Sequence, residues 1–250
     1  MTDGFGFKVT NRDGDARRGT LSTNHGTVQT PAFMAVATFG AVRGVSTEDL
    51  RKLGAQILLS NTYHLHERPG EALVKKMGGL HGFIGWEGPW LTDSGGFQVT
   101  SLGDRVKLNE EGVAFSSPLD GRKRMLTPES VIGIQEALGP DIAMVLDECR
   151  PHGEGTKSTE TVSDKPSAQN AMERTLRWAE RSQSARKRED QAVFGIVQGG
   201  AYPDLRRLSA QSTANFGFDG YAHGGLGLGE TAEERRALTA EANALLPDEA

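Results

Sequence analysis

The chain has 250 residues, a net charge of −5 and 36% hydrophobic residues, which suits one large globular domain or two small ones. Its single cysteine, Cys149, excludes a disulfide framework and any metal site that needs two thiolates. No apolar run approaches the ~18 residues of a membrane span, and no charged-then-apolar signal opens the chain, so we expect a cytoplasmic protein without membrane contact.

Turn residues near the start predict a small antiparallel meander over about residues 5–30. Residues 5–10 and 19–22 flank the first turn, and a second turn leads into residues 27–30. We expect this meander to cap one end of the domain.

The rest of the chain alternates short apolar runs with segments that start with helix-capping residues. The predicted strands are 32–37, 56–60, a run ending at Asp93, 142–146, 193–198 and 220–223. The predicted helices follow Ser46, Pro69 and Thr127, and then span 168–188, 203–216 and 231–246. Six such units in order predict an all-parallel sheet with right-handed crossovers.

Two segments interrupt this alternation. Residues 113–116 and 123–126 predict a hairpin around Asp120-Gly121. Residues 152–167 are polar and rich in serine, threonine and glycine, which predicts a surface loop.

Polar or glycine residues follow four of the predicted strands. They are Asp93, Asp147, Gln198 and Gly225. The carboxyl ends of the parallel strands in a TIM barrel converge on one mouth, where the active site of that fold lies. We therefore expect these four positions to line one pocket.

This convergence favours a barrel over a doubly wound sheet. A doubly wound sheet would need a phosphate-binding glycine loop after the first strand, which residues 38–41 do not provide, and the glycines at 225, 227 and 229 have the wrong spacing for a dinucleotide site. The predicted fold class is α/β, a (β/α)8 TIM barrel of which this chain supplies about six units plus the meander. The first and sixth strands would then be edges.

The predicted pocket has the donors and acceptors that a guanine edge requires. Asp147 accepts two hydrogen bonds, whereas the Gln198 amide and the N–H groups around Gly225 donate, which complements the N1–H, 2-amino and O6 groups of guanine. Phe97 could stack on a flat heterocycle, and Asp93 is a second carboxylate for acid–base chemistry. Alternatively, Asp147 and Gln198 only satisfy loop backbone.

Five motifs in order resemble those of one family. LTDSGGFQV (91–99), SNTYHLHERPG (60–70), LDEC (146–149), FGIVQGG (194–200) and FDGYAHGGLGLGE (218–230) resemble the tRNA-guanine transglycosylases, the queuine tRNA-ribosyltransferases, and the resemblance runs from about residue 5 to 246. It implies a (β/α)8 barrel with a zinc-bearing insertion. It also implies exchange of guanine at the anticodon wobble position, G34, for a 7-deazaguanine base (preQ1 or queuine) in queuosine biosynthesis, through a ribosyl-aspartate intermediate. The implied partners are a tRNA with a GUN anticodon, guanine, the 7-deazaguanine base, and a second copy in a homodimer.

The resemblance assigns roles by motif. Asp93 matches the proton acceptor, and Ser94, Gly95, Gly96 and Phe97 belong to the substrate loop. Asp147, Gln198 and Gly225 match the base-binding residues, and Leu226 matches the backbone contact to the substituent of the deazapurine. Gly227-Leu228 replaces the Ala-Val pair usual in bacteria, which leaves the choice between preQ1 and queuine open.

Several family features would lie beyond residue 250. These are the nucleophilic aspartate, the zinc ligands (three cysteines and a histidine) and the main RNA-contacting basic segment. We therefore expect residues 1–250 to form a single incomplete TIM-barrel domain without the zinc-binding subdomain, with no cofactor of its own and no exchange activity alone. One zinc ion is expected only in the full-length family.

Other interpretations stay open. The chain could be a non-catalytic homologue or truncated partner subunit of such an enzyme, or, less favoured, a barrel glycosidase that uses Asp93 and Asp147 as its acid–base pair. His64 and His66 lack a third metal ligand nearby in sequence, and Cys149 lacks a basic partner, which predicts a small buried side chain. The arginines of residues 174–188 are interleaved with Glu173, Glu180, Glu189 and Asp190, which predicts a solvated helix face rather than an RNA patch, with Trp178 in packing.

Overall fold

The computed structural model describes residues 4–100, 106–150 and 164–248. In chain order its first elements are β1 (Gly6–Asp13), β2 (Ala16–Thr23), β3 (Gly26–Thr30), β4 (Ala35–Val36), α1 (Thr47–Lys52), β5 (Leu58–Ser60), α2 (Thr62–Glu67), α3 (Glu71–Lys76), α4 (Gly79–Ile84), β6 (Trp90–Thr92) and α5 (Gly96–Thr100). The later ones are β7 (Val106–Leu108), β8 (Val113–Ser116), β9 (Lys123–Leu126), α6 (Pro128–Leu138), β10 (Ile142–Met144), α7 (Lys165–Ala185), β11 (Ala192–Val197), α8 (Pro203–Ala214), β12 (Gly220–His223) and α9 (Ala232–Asn243).

Two antiparallel sheets accompany the main sheet: one precedes it in sequence, and the other lies between its strands β6 and β10. Strands β1, β2 and β3 pair in order and lie within the range expected for the N-terminal meander. The predicted hairpin is formed by β8 and β9, and β7 joins it as a third strand that the sequence analysis missed. β7 has only three residues, too few to show an alternating pattern.

The six remaining strands form one parallel sheet in the order β4-β5-β6-β10-β11-β12, which confirms the predicted α/β class with a parallel sheet. Strands β6 and β10 are buried throughout, as expected where a parallel sheet is covered on both faces. In register, Leu59 pairs with Leu91, Leu91 with Ile142, and Ile142 with Ala192. Residues that follow these strands therefore lie along one edge of the sheet.

Capping residues set the helix starts that the sequence predicted. The Ser46 side chain accepts a hydrogen bond from the N–H of Asp49 at the start of α1. Thr127 forms a capping box with Ser130 at the start of α6, and Thr231 forms one with Glu234 before α9. These local hydrogen bonds are encoded within four residues, which is why the pattern alone finds them.

The boundaries of several elements differ from the prediction. The helix expected after Pro69, with its end near Gly78-Gly79, is α3, and α4 directly after these glycines, whose φ angles are +89° and +74°, was not predicted. Helix α7 spans Lys165–Ala185 rather than 168–188, since Asp164 caps it by accepting from the N–H of Ser167. β4 has two residues, not the six expected over 32–37, and α2 was missed. Residues 152–163 of the predicted loop lie outside the described residues.

Two tryptophans lie at the centre of the packing. Trp90 and Trp178 are both 0% exposed. The indole N–H of Trp178 donates to the carbonyl of Glu110 at 2.9 Å, so the prediction that this residue packs within the fold is confirmed. No helix among the described residues is long and apolar enough to span a bilayer.

Candidate functional site

The carboxyl ends of β10 and β11 bring two predicted site residues into direct contact. Nε2 of Gln198 donates to Oδ2 of Asp147 at 2.6 Å, and Oγ of Ser94 donates to Oδ1 of Asp147 at 3.1 Å. All three side chains are buried. A carboxylate offers about four lone-pair positions, so each oxygen of Asp147 retains capacity for a further donor.

Glycines form the walls around this pair. A Cβ atom on Gly96 would lie 2.7 Å from the carbonyl oxygen of Asp147 and 3.1 Å from its Oδ1. A Cβ on Gly225 would lie 2.7 Å from Oε1 of Gln198, and the φ angle of Gly225 is +67°. Larger residues at either position would press on the Asp147–Gln198 pair, so the backbone itself lines this part of the site.

Asp93 follows β6, and several hydrogen-bond donors hold its carboxylate. Its Oδ1 accepts from the N–H groups of Thr62 at 3.0 Å and Gly95 at 3.1 Å, and its Oδ2 accepts from Nδ2 of Asn61 at 2.5 Å. Burial raises the pKa of Asp93, although these hydrogen bonds oppose the rise. A fixed carboxylate with a raised pKa has the properties of a proton acceptor.

The environment of Asp147 raises its pKa to about 6. Burial is the largest cause and the charge of Asp93 adds to it, whereas hydrogen bonds from Gln198 and Ser94 oppose the rise. Asp147 therefore changes protonation state close to neutral pH, which is typical of functional sites.

The remaining predicted site residues lie on α5 and on the loops that follow β6 and β12. Gly95 is buried, and a Cβ on it would lie 2.9 Å from the Cβ of Tyr63. Phe97 is 50% exposed on α5, and Leu226 is half-buried two residues after Gly224. Their proposed contacts with a base stay predictions.

Comparison with known proteins decides the family. The sequence profile described as queuine tRNA-ribosyltransferase matches residues 13–250. The chain belongs to this family. The resemblance found in the five motifs is thereby confirmed.

Relatives named queuine tRNA-ribosyltransferase are about half identical to this chain. One from Thermus thermophilus is 52% identical over 247 residues, covering 99% of this chain and 62% of the relative. Those from Stenotrophomonas maltophilia (strain K279a) and Synechococcus sp. (strain CC9605) are 49% and 51% identical, each over 97% of this chain and 63% of the relative. The chain thus spans less than two thirds of the length of these queuine tRNA-ribosyltransferases.

In this member of the queuine tRNA-ribosyltransferase family, Glu230 shapes the turn after Leu226. Its carboxylate accepts from the backbone N–H groups of Gly227 and Leu228, the latter at 3.1 Å. Burial raises the pKa of Glu230, but Arg235 and these N–H groups outweigh it and lower the pKa to about 2. This role was not predicted from the sequence, although a carboxylate directly after a glycine-rich run is a usable signal.

Cys149 is buried, as predicted. Burial raises the pKa of its thiol to about 12, and the charge of Asp147 contributes to the rise. A protonated thiol is a poor nucleophile, so Cys149 is a packing residue.

One side-chain group among the described residues has the composition of a metal site. The ligand atoms of His25, His81 and Asp141 lie within 4.8 Å of one another, and zinc accepts such donors. However, the two imidazole rings stack with centroids 3.6 Å apart and planes 11° apart, so their lone pairs run parallel instead of converging. Asp141 also accepts from the N–H of Trp90 at 2.8 Å and contacts Nδ1 of His25 at 2.8 Å. In this arrangement the His25–His81–Asp141 group does not fit a zinc ion.

The arginines of α7 form ion pairs with other elements. Arg177 pairs with Glu110 at 2.7 Å, Arg181 pairs with Glu129 at 2.7 Å, and Arg174 contacts the buried Glu148. Of these three arginines, Arg177 is exposed, as the predicted solvated face requires, whereas Arg174 and Arg181 are half-buried. Their acidic partners lie in the loop before β8, at the start of α6 and in the segment that follows β10, and the sequence pattern of α7 alone cannot indicate these contacts.

The two histidines discounted as metal ligands have other contacts. Nδ1 of His66 lies 2.8 Å from Oε2 of Glu71. The ring of His64 lies 5.0 Å from the rings of Phe39 and Tyr63. Burial lowers the pKa of His64, so this imidazole is neutral at pH 7.

Proposed function

We propose that this chain carries the base-binding part of a tRNA-guanine transglycosylase, a pentosyltransferase that exchanges guanine at G34 of tRNA for a 7-deazaguanine base. The observation that carries the proposal is the buried hydrogen bond of 2.6 Å between Gln198 and Asp147. It sets an acceptor beside a donor at the edge of the sheet where parallel strands end.

The chemistry of this pair matches the Watson–Crick edge of guanine. The Asp147 carboxylate would accept from N1–H and the 2-amino group, and the Gln198 amide and the N–H of Gly225 would donate to O6. Phe97 would stack on the base, and the backbone of Leu226 would contact the substituent of the 7-deazaguanine. Ser94, Gly95 and Gly96 would form the loop that closes on it.

Asp93 would act as the proton acceptor of the exchange. Its carboxylate is oriented by Asn61, Thr62 and Gly95, and its raised pKa makes it a stronger base than an ordinary aspartate. The nucleophile that forms the ribosyl-aspartate intermediate in the family is not among the five motifs of this sequence. We therefore propose that residues 1–250 alone bind the base without exchanging it.

The larger assembly belongs to the same proposal. The parallel sheet would be the first six units of a (β/α)8 barrel in one domain, and the whole protein would bind the anticodon loop of a tRNA with a GUN anticodon as a cytoplasmic homodimer. The zinc ion expected for the full-length family is assigned to no residue of this chain.

Base titration tests the proposal. Isothermal titration of the chain with 7-aminomethyl-7-deazaguanine should give a saturable, one-site curve. Guanine should displace this ligand, whereas adenine should not, because adenine presents an acceptor at N1 and a donor at its 6-amino group. An absence of binding, or equal displacement by adenine and guanine, would contradict the proposed recognition.

A further inference from the structure

Arg206 is a buried cation close to the candidate site. It lies on α8 and is 0% exposed. Among the described residues, no carboxylate forms an ion pair with its guanidinium. Burial lowers its pKa to about 10, which shows that the environment disfavours the charge. An aliphatic side chain would fill the same volume without this cost, so the guanidinium needs another explanation.

Its hydrogen bonds supply that explanation. Nε donates to the carbonyl oxygen of Gly200 at 2.9 Å, Nη1 to the carbonyl oxygen of Val197 at 3.1 Å, and Nη2 to the carbonyl oxygen of Gly224 at 2.8 Å. These carbonyls belong to three places: the last residue of β11, the turn after β11, and the residue after β12. Only the planar, multi-donor guanidinium can reach three separate carbonyls in this way.

The three carbonyls bracket two predicted base-binding residues. Val197 and Gly200 lie on either side of Gln198, and Gly224 directly precedes Gly225. The N–H of Gln198 donates to Oγ of Ser209 on the same helix at 3.0 Å. Helix α8 therefore holds Gln198 from both sides of its backbone.

This support matters because residues 198–200 and Gly225 follow the last paired residues of β11 and β12, Val197 and His223, and so lie outside the sheet ladder. Gly199, Gly200 and Gly225 have φ angles of +131°, +57° and +67°, which glycine adopts but does not prefer over other conformations. A Cβ on Gly199 would lie 2.8 Å from the backbone nitrogen of Arg206, so the turn packs directly on the helix. Without the guanidinium, the carbonyls of Gly200 and Gly224 would lose this partner.

We propose that Arg206 is a positioning residue for the base pocket: it fixes the backbone on both sides of Gln198 and before Gly225, so that the amide of Gln198 and the N–H of Gly225 meet the edge of the base. This inference rests on the proposed function of the pocket. Arg206 would contact neither the base nor the reacting atoms. It would act through Gln198 and Gly225, whose backbone it positions.

The test combines base titration with hydrogen exchange. Arg206→Met removes all three donor nitrogens, and Arg206→Lys keeps the positive charge but not the planar guanidinium with its separate donors. Arg207→Met is the matched control, since Arg207 is exposed and pairs with Glu241 on α9. Both Arg206 variants should bind 7-aminomethyl-7-deazaguanine at least about tenfold more weakly, and Arg207→Met should stay within about twofold. If the methionine variant does not fold, the lysine variant decides.

A double-mutant cycle separates positioning from general destabilisation. If Arg206 acts through Gln198, the loss caused by Arg206→Lys should shrink markedly in the Gln198→Ala background. Equal losses in both backgrounds, or wild-type affinity in both Arg206 variants, would overturn the inference.

Hydrogen exchange keeps the two proposals distinguishable. In the protein without ligand, the backbone amides of residues 198–202 and 223–227 should exchange faster in Arg206→Lys than in wild type, and those of β10 should not change. If wild type binds no base, the proposed function fails, and the exchange rates alone decide whether Arg206 holds these turns. Unchanged exchange in both segments would overturn its positioning role.

Discussion

Nε2 of Gln198 lies 2.6 Å from Oδ2 of Asp147, so the side chains that follow β11 and β10 hold each other in place. Ser94, from the loop after β6, completes the arrangement at the other carboxylate oxygen. A site whose polar groups are already fixed loses little conformational entropy when a ligand binds. The proposed recognition of the base depends on that pair.

The first prediction concerns the acceptor of the pair. Asp147→Asn replaces one carboxylate oxygen with a donor that would face the donors of guanine. We expect binding of 7-aminomethyl-7-deazaguanine to weaken by about 1–3 kcal/mol, which is roughly 5- to 150-fold in dissociation constant. Isothermal titration measures this, with Asp204→Asn as control because Asp204 is exposed and pairs with Lys165. Unchanged affinity in Asp147→Asn would show that Asp147 does not recognise the base.

The same variant should remain folded. The pKa of Asp147 is about 6 in the folded state against a usual 3.8, so the folded state binds its proton more tightly than the unfolded state. Ionisation of Asp147 therefore lowers stability as the pH rises from about 4 to about 6, and a neutral asparagine avoids this loss at pH 7. Thermal melting at pH 7.5 should give a midpoint for Asp147→Asn no lower than that of wild type. A clearly lower midpoint would mean that the weaker binding of Asp147→Asn comes from its reduced stability and not from the lost acceptor.

The second prediction is a pH dependence of base binding. Since burial raises the pKa of Asp147 to about 6, the carboxylate is mostly protonated at pH 5 and mostly ionised at pH 7. The ionised form is the acceptor, so affinity should be about tenfold weaker at pH 5 than at pH 7 and level above pH 7. In Asp147→Asn this dependence should disappear. Affinity that falls as the pH rises from 5 to 7 would assign the acceptor role to another group.

The third prediction concerns Gln135, which joins α6 to the sheet. Its Oε1 accepts from Met144 N–H at 2.9 Å and from Thr92 Oγ1 at 2.9 Å, and its Nε2 donates to the carbonyl of Met144 at 2.8 Å. Gln135→Leu leaves these buried groups unpaired and should lower the free energy of unfolding by about 3 kcal/mol or more. Gln169→Leu on the exposed face of α7 should change it by less than about 0.5 kcal/mol. Urea denaturation that shows equal stability for both variants would refute the role of Gln135.

The fourth prediction concerns metal binding. Because the rings of His25 and His81 stack in parallel, we expect residues 1–250 to bind no stoichiometric zinc. Metal analysis after dialysis against micromolar zinc measures the ratio, with His81→Ala as the matched variant. One zinc per wild-type chain, absent from His81→Ala, would make the His25–His81–Asp141 group a metal site after all.

Much of the framework could be predicted because its signals are local. The caps at Ser46 and Thr127 and the residues that end β6, β10 and β11 are all visible within short windows of sequence. Gly78-Gly79 correctly predicts the end of α3, but α4 was missed because this glycine pair does not predict a second helix directly after it. Two residues that support the site, Asn61 and Arg206, were missed. Asn61 donates to Asp93, 32 residues away, and Arg206 donates to the backbone carbonyl of Gly224, 18 residues away. A sequence pattern within one helix or strand cannot indicate such contacts.

A crystal structure of this chain with 7-aminomethyl-7-deazaguanine tests the proposed base recognition. We predict that N1–H and the 2-amino group of the base face the Asp147 carboxylate, and that O6 lies within hydrogen-bonding distance of Nε2 of Gln198 and the N–H of Gly225. A base bound elsewhere, or one whose Watson–Crick edge points away from Asp147, would rule out this recognition.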